Sequence, residues 1–504
     1  MFTYKKLTQI NGFDIKNPSN AKQNSYAWSM AELEDYIYVG TSRNMFTSIS
    51  GSFGQGNILP SLITGTDNNA EIWRYKKDES CPWQKVFKTD PCDKDYGFRI
   101  MTTHKSKHSC ALYAASMGEN VHVYKSCDGV HWIKLYTSNL VGQSSRAMVS
   151  FNGRLYISTL DSGISGKSPH LYSSADPEHE PFRPVIYSTS QEYNPCKNPH
   201  GGIDDIQVFN DRLYLCTETE NGCEIWRSDN YNPKTNDWTL VADKGFGDSA
   251  NKNVMSTGVF KNHLYIAVTK VLQVSLFAPF GFDLIRIDRN DNWEVVVGGK
   301  PLVPSCPSTG KRTKSLSGFN SGFNSFFNVY GWQIAQFNNS LIITTFDNSI
   351  NIKTIYDNFT YNKDNYVKMI GNYNYSRIIE SYSKIIFLLD KYKYPKGFDI
   401  YTSNDGCHFN PSILKGLNNP YNYGGRKLLV SCENDLYIGT ANPYCGCEVW
   451  EAFCTESNST CSSHKVNSYL KNLNKLNHDL LEIYPVLLKG LTSMLNFQNN
   501  TMMQ

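Results

Sequence analysis

The chain has 504 residues, of which 13% are aromatic and 40% are hydrophobic, and it carries 49 Lys and Arg residues against 46 Asp and Glu residues. The resulting net charge of +3 excludes a polyelectrolyte tail and argues against a general nucleic-acid binder. The aromatic content argues against disorder, and no segment approaches the roughly 18 consecutive apolar residues of a membrane-spanning helix. At about 150 residues per domain, the length is compatible with three domains or with one large closed architecture.

The N-terminus and the cysteines predict a cytoplasmic protein without a metal or a cofactor. The sequence starts MFTYKKL and has no apolar core of a secretory signal. The 14 cysteines are scattered through a long chain, which favours free thiols over a disulfide scaffold. Those between 445 and 461 lack the C-x2-C pairs of a zinc site. His104, His108 and Cys110 lie in a Lys/Ser-rich hairpin, which predicts a solvated turn.

A short phrase of the form aromatic-Asn/Asp-x-x-Leu-Tyr-Ile-x-Thr recurs along the chain. Each copy predicts a β-hairpin, because two strand-forming runs flank a turn such as Asn-Gly, Asn-Asp or Asn-Asn. The seven copies lie at 34–41, 111–116, 151–159, 209–217, 260–266, 337–345 and 433–440.

A second phrase follows the hairpins and predicts a third strand, which a turn joins to an aromatic-led fourth strand. The third strand is clearest at 71–75, 224–228, 283–287 and 448–452, and the fourth begins at Trp83, Trp132, Trp238 and Trp293. Four antiparallel strands repeated seven times predict an all-β fold, a seven-bladed β-propeller. The seventh repeat has no fourth strand after Trp450, but residues 4–14 parallel residues 238–248. We therefore predict that the N-terminal strand completes the last blade and closes the ring.

Two turns, at 126–132 and 403–409, resemble a shortened Asp-box of sialidase-like propellers. The resemblance implies that Asp128 and Asp405 have a structural role, since their carboxylates satisfy N–H groups of the turn. The whole pattern over about residues 1–455 resembles a group of bacterial propeller proteins without an assigned function. That resemblance implies the fold and says almost nothing about activity.

The predicted propeller domain covers residues 1–463, and two insertions interrupt its repeat. The insertions lie at about 270–327 and 350–395, and we expect a short helix at 376–389 in the second. Residues 464–504 form a tail in which leucines recur every three or four positions, as in an amphipathic helix. We expect Pro485 to kink or split this helix. The helix is expected to pack on the propeller or to mediate self-association or partner docking.

The first strands of propeller blades surround the axis, so equivalent residues in different blades converge on one central opening. Counting back nine residues from each Leu-Tyr step, with a shift in blades two and seven, gives one residue per blade. The resulting ring is Trp28, Arg99, Arg146, Asp204, Met255, Trp332 and Arg426. Arginines this close repel one another unless an anion, a carboxylate or water compensates them.

The ring predicts a site for a small anionic or zwitterionic ligand of aromatic or sugar-like character, or for a protein partner, but not for nucleic acid. Arginines 99, 146 and 426 are the expected anion clamps, and tryptophans 28 and 332 are the expected stacking walls, with Tyr330 beside them. Turns after the second strands add Arg43 and Glu218 near the same mouth, and Asp204 or Glu218 is a candidate acid or base. Three alternatives stay open: an enzyme (hydrolase, lyase or transferase) using the same ring, a scaffold for protein interactions, and arginines that only lock neighbouring blades by pairing with carboxylates.

Overall fold

The strands pair into four-stranded antiparallel units that follow one another along the chain. A computed structural model describes residues 2–47, 59, 62, 63, 65–160, 168–454 and 463–502. The chain is mostly β-strand within these ranges, and a helix forms its C-terminal part. None of the described helices combines the length and the apolar character that a membrane crossing requires.

The units are defined here by their strands, taken in chain order after β1 (Phe2–Lys6). The first three units are β2–β5 (Asn24–Leu33, Tyr36–Arg43, Glu71–Lys76, Gln84–Lys88), β6–β9 (Gly97–Lys105, Cys110–Met117, Val123–Ser126, Ile133–Lys134) and β10–β13 (Met148–Phe151, Arg154–Thr159, His170–Ser174, Arg183–Pro184). The next three are β14–β17 (Gly202–Phe209, Arg212–Glu218, Glu224–Ser228, Trp238–Ala242), β18–β21 (Asn251–Phe260, His263–Lys270, Asp283–Ile287, Trp293–Val297) and β22–β25 (Asn328–Phe337, Ser340–Asp347, Ile400–Ser403, Asn410–Ile413). The last strands are β26–β28 (Gly424–Val430, Leu436–Ala441, Val449–Cys454).

The N-terminal strand belongs to the sheet at the end of the chain. Strand β1 pairs antiparallel with β28, from Phe2 opposite Cys454 to Lys6 opposite Trp450. It therefore supplies the fourth strand that the repeat after β28 lacks. The first strand of each unit contacts the first strand of the next unit, and β26 contacts β2.

A buried asparagine ties consecutive units together at four places. In the unit β18–β21, Asn251 Nδ2 donates to the carbonyl oxygen of Gly245 at 3.0 Å and to Asp283 Oδ2 at 3.0 Å. Gly245 has φ of 60°, a conformation that glycine adopts without steric cost, and it lies just after the last strand of the preceding unit. The same bonds recur at Asn24 with Gly12 and Glu71, at Asn328 with Gly322 and Asp399, and at Asn422 with Gly416 and Glu448.

The two turns with the shortened motif are held by their aspartates. Asp128 Oδ1 accepts hydrogen bonds from the backbone N–H groups of Val130 and His131, each at 2.8 Å. Asp405 Oδ1 accepts the two equivalent bonds at 2.8 Å in its own turn. Both carboxylates therefore satisfy turn donors.

The second insertion is almost entirely helical, so the expected short helix at 376–389 is an underestimate. It contains the helices Ser349–Tyr361 and Lys363–Lys391, called here the insertion helices, and the second has a non-helical residue at Gly371. The C-terminal helix Ser463–Met502 continues through Pro485, and the predicted split is wrong. The carbonyl that Pro485 leaves without a donor belongs to Leu481, whose side chain is 59% exposed. This carbonyl is on the water-facing side, so water can satisfy it.

The insertion helices and the C-terminal helix share one apolar core. Ile378, Tyr382 and Ile385 of the insertion helices are buried in the same cluster as leucines of the C-terminal helix. Ala278 and Phe327, from the first insertion, belong to this cluster as well. The three segments that interrupt or follow the repeat therefore fold together into a helical layer.

Candidate functional site

A cavity of about 680 Å³ lies where the first strands of the units converge. Side chains from all seven first strands line it, and every member of the sequence-predicted ring is among them. The ring members that line the cavity are Trp28, Arg99, Arg146, Asp204, Met255, Trp332 and Arg426, and Tyr330 joins them. The nine-residue count located five of these side chains, and the shift in blades two and seven located Arg99 and Arg426.

Two of the arginines lie on the two tryptophans in equivalent arrangements. The guanidinium carbon of Arg99 is 5.5 Å from the ring centroid of Trp28, and that of Arg426 is 5.3 Å from the centroid of Trp332. Each distance is within the range of a cation–π interaction. A glycine two residues before each arginine gives the indole room, because Gly97 contacts Trp28 and Gly424 contacts Trp332. The paired motifs of the sequence thus form two copies of one structure.

Replacing Gly424 by Ala is expected to displace Trp332 and to lower the free energy of unfolding by about 1–2 kcal/mol, as overpacking does. A methyl group at this position would overlap the six-membered part of the Trp332 ring. Tryptophan fluorescence and urea denaturation measure the two effects. Gly299→Ala is the matched control, because a methyl group there lies no closer than 3.4 Å to any neighbour. Equal behaviour of the two variants would contradict the tight contact.

Arg146 is the one ring arginine with a carboxylate within 4.0 Å among the described residues. Its Nη1 lies 3.5 Å from Asp204 Oδ1, and its Nη2 donates to the Val254 carbonyl at 3.2 Å. Asp204 Oδ2 accepts the Val254 N–H at 2.9 Å. Arg146 therefore fits the alternative in which an arginine pairs with a carboxylate and locks two neighbouring units together.

The other two guanidiniums have no such partner in the described part of the chain. Arg99 Nη1 donates to Ser144 Oγ at 2.8 Å, a neutral acceptor. The buried Nε of Arg426 has no hydrogen-bond partner. A guanidinium in a buried place without a counter-charge is costly, so these two groups carry unsatisfied positive charge into the cavity.

The pKa values of these cations are lowered, because burial and mutual repulsion disfavour their charged forms. Burial, and then repulsion from Arg146 and Arg426, lowers the pKa of Arg99. Burial and the charge of Arg146 lower the pKa of Arg426 to about 9. Lys427, which also lines the cavity, has its pKa lowered to about 8 by burial and by Arg426. An anion in the cavity would stabilise all of these charged forms.

Two carboxylates oppose the cations. Burial raises the pKa of Asp204 and that of Asp205, against the lowering effects of their hydrogen bonds and of Arg146. Asp205 Oδ2 accepts a hydrogen bond from Thr257 Oγ1 at 2.8 Å. The four cationic side chains of the cavity thus outnumber its two carboxylates.

Apolar and aromatic side chains form the rest of the cavity wall. Tyr26 and Tyr423 line it, and their hydroxyls are hydrogen-bonded to each other. The helical layer closes it with side chains that the sequence analysis did not assign to the site. These are Leu272, Leu276, Phe277, Asn351, Thr354, Ile355, Asn358, Phe359 and Tyr366. The sequence signal for this helix was the spacing of Ile352, Ile355 and Phe359, which is the spacing of one helix face.

Arg43 and Glu218 do not line the cavity. Arg43 is fully buried away from it, where its Nη1 donates to Asn24 Oδ1 at 2.8 Å and lies 3.5 Å from Glu71 Oε2. Glu218 accepts a hydrogen bond from Asn253 Nδ2 at 2.7 Å. Both residues end second strands. Of the two acid or base candidates, Asp204 alone reaches the cavity.

The chain matches no protein-family model and no curated protein. Among solved structures it is similar to an ancestral GH74 enzyme, with a TM-score of 0.44, 10% identity, and coverage of 87% of this chain and 49% of that chain. It is also similar to the GH74 xyloglucanase from Xanthomonas campestris, with a TM-score of 0.42, 12% identity and coverage of 88% and 54%. The chain therefore spans about half the length of these two proteins. Likeness at this level assigns neither an activity nor a ligand.

Proposed function

We propose that the chain is a closed seven-bladed β-propeller whose central cavity binds a small anionic ligand that also carries an aromatic or apolar portion. The fold proposal is supported by seven four-stranded units, the last completed by β1, and by the ring of contacts from β2 to β26 and back to β2. Closure leaves each unit between two neighbours and removes the free edge between the chain ends.

The excess of positive charge inside the cavity carries the ligand proposal. Arg99 and Arg426 face it without a carboxylate partner among the described residues, and Lys427 adds a third cation. A carboxylate or a phosphate group can accept hydrogen bonds from two guanidiniums at once. Such an anion would supply the counter-charge that the protein itself lacks at this place.

The remaining wall defines the second part of the ligand. Trp28 and Trp332 are 5% and 8% exposed, so little of either ring is open to water. The indoles, the tyrosine pair and the helical layer offer flat and apolar contacts, which suit an aromatic ring or a short hydrocarbon chain. A volume of about 680 Å³ lies within the range of roughly 300–1,000 Å³ for small-molecule sites.

Arg99→Gln and Arg426→Gln are each expected to weaken the binding of phenyl phosphate about tenfold, since a charge-assisted hydrogen bond of about 1.4 kcal/mol is lost. Isothermal titration calorimetry of phenyl phosphate, benzoate and benzyl alcohol measures the effect, and the neutral alcohol is expected to bind weakest. Arg154→Gln is the matched control, because the side chain of Arg154 bonds Ser173 Oγ outside the cavity. Absence of binding, or equal affinities in all three variants, would overturn the proposal.

A second candidate function, catalysis at the same site, is favoured by one residue. Asp204 is a buried carboxyl that lines the cavity, and burial raises its pKa above the ordinary value, a direction that suits a general acid. Ligand that co-purifies with the wild type and with Asp204→Asn can be identified by mass spectrometry and incubated with each protein. Turnover by the wild type alone would support catalysis, and recovery of unchanged ligand from the wild type would exclude it.

A further inference from the structure

Two histidines and one aspartate from different units meet at a place that does not line the central cavity. His108 lies in the hairpin between β6 and β7, and Asp176 and His179 lie in the turn after β12. His108 Nδ1 is 2.5 Å from Asp176 Oδ2, and His179 Nδ1 is 3.2 Å from the same oxygen. The ligand atoms of the three side chains all lie within 4.8 Å of one another.

The carboxylate of Asp176 is buried, and half of its bonding capacity is unused. Its side chain is 1% exposed, while those of His108 and His179 are 51% and 53% exposed. Asp176 Oδ1 is buried without a hydrogen-bond partner. A buried oxygen without a partner costs free energy, and a carboxylate that binds a metal ion through both oxygens would satisfy it.

A second group of similar composition differs in how its oxygens are satisfied. Asp95 and His122 also approach each other, together with Asp93. There, Asp95 accepts bonds from Ser116 Oγ at 2.7 Å and from the Tyr124 hydroxyl at 2.7 Å. None of the buried oxygens in that group lacks a partner among the described residues. The protein itself therefore satisfies this second group and leaves the first incomplete.

We propose that His108, Asp176 and His179 bind a divalent transition-metal ion of the zinc class. Imidazole nitrogen and carboxylate oxygen are the donors that such ions prefer, and three protein donors leave a position for water. The half-exposed imidazoles give the ion access from solvent. Because the donors come from the units β6–β9 and β10–β13, the bound ion links two neighbouring units.

The two units that the ion would link both have short fourth strands. The fourth strands of these two units, β9 and β13, have two residues each. A metal ion that joins the β6–β7 hairpin to the turn after β12 would stabilise both units, since the three donors come together only in the folded state. Metal binding is accordingly expected to raise the Tm.

The experiment uses the full chain, freed of metal with EDTA and with its thiols blocked, because several cysteines are exposed. Zn²⁺ binding is followed by calorimetry, Co²⁺ binding by visible absorption, and the Tm by circular dichroism. His108→Ala and His179→Ala are each expected to lower Zn²⁺ affinity at this site at least about tenfold and to abolish the rise in Tm. Asp176→Asn, which keeps the size of the side chain, is expected to act in the same direction.

His131→Ala is the matched control, because His131 also pairs with an aspartate, Asp128, at 2.6 Å but belongs to no metal-binding group among the described residues. It is expected to keep the wild-type stoichiometry and the rise in Tm. Failure of the wild type to bind Zn²⁺, or an unchanged affinity in both His108→Ala and His179→Ala, would overturn the proposal. Because the cavity residues take no part, neither result bears on the proposed ligand site.

Discussion

Replacing Lys270 by Met is expected to lower the free energy of unfolding by about 3–5 kcal/mol, the cost of removing one partner from a buried ion pair. The side chain of Lys270 is 4% exposed, and its Nζ lies 2.8 Å from Asp248 Oδ2 and 2.9 Å from Asp283 Oδ2, both fully buried. Burial by itself would raise the pKa of Asp283, but Lys270 and Arg312 lower it to about 2. Methionine would leave two buried carboxylates with one cation, Arg312.

Urea denaturation at pH 7 measures the effect, and Lys384→Met is the matched control. Lys384 pairs with Glu380 at 2.7 Å, but the two side chains are 59% and 65% exposed. An exposed pair of this kind contributes at most about 0.5 kcal/mol, so the control is expected to stay close to the wild type. A loss in Lys270→Met no larger than that of the control would show that Lys270 is dispensable.

Replacing Asp347 by Asn is expected to raise the free energy of unfolding by about 2–3 kcal/mol at pH 7. Asp347 ends its second strand, the position that Lys270 holds in the preceding unit. Burial, and then the charge of Asp347, raises the pKa of Asp399, and the charge of Lys396 only partly offsets the effect of burial on Asp347 itself. Its oxygens accept bonds from Ser349 and from the Tyr394 hydroxyl, which an amide oxygen can also accept in part. Burial nevertheless raises the pKa of Asp347 to about 6, from an ordinary value of 3.8.

The sign of the effect follows from where the proton is held. Because the pKa of Asp347 is higher in the folded state, the folded chain binds more protons between about pH 4 and pH 6. Wild-type stability attributable to this group therefore falls as the pH rises through that interval, and the asparagine variant lacks the fall. Asp405→Asn is the opposite case, since hydrogen bonds from the backbone N–H and side chain of His408 lower the pKa of Asp405. A stability difference between Asp347→Asn and the wild type that does not grow from pH 4 to pH 7 would contradict the assignment.

The repeat predicted the ring of seven cavity residues because a strand places equivalent side chains at equivalent positions. It missed Asp205 and Lys427, although each follows a predicted residue directly. Strict alternation allows only one of two consecutive side chains to face the cavity. The first strands, however, have register irregularities between Ile203 and Asp205 and between Gly425 and Lys427. Such bulges turn two successive residues to the same side.

The prediction that Arg43 lies at the site was wrong for a different reason. Its guanidinium donates to Asn20, in the segment before β2, and to Asn24, the first residue of β2. That segment is not part of the repeated phrase, so no comparison between copies reveals it. The helical layer was also hard to predict, because its helices bury their apolar faces against one another across insertions far apart in sequence. Tertiary packing of this kind leaves a weak local signal.

The pairing of β1 with β28 has a consequence for the order of folding during synthesis. The strand Phe2–Lys6 is synthesised before the other described strands, whereas its partner Val449–Cys454 is synthesised after them. During that time β1 has no place in a finished sheet, and its backbone groups can pair with any other free edge. A contact of such sequence separation is slow to form, since it closes a loop of nearly the whole chain. Pairing of β1 with β28 therefore has to wait for the synthesis of β28, and completion of an earlier unit does not bring it about.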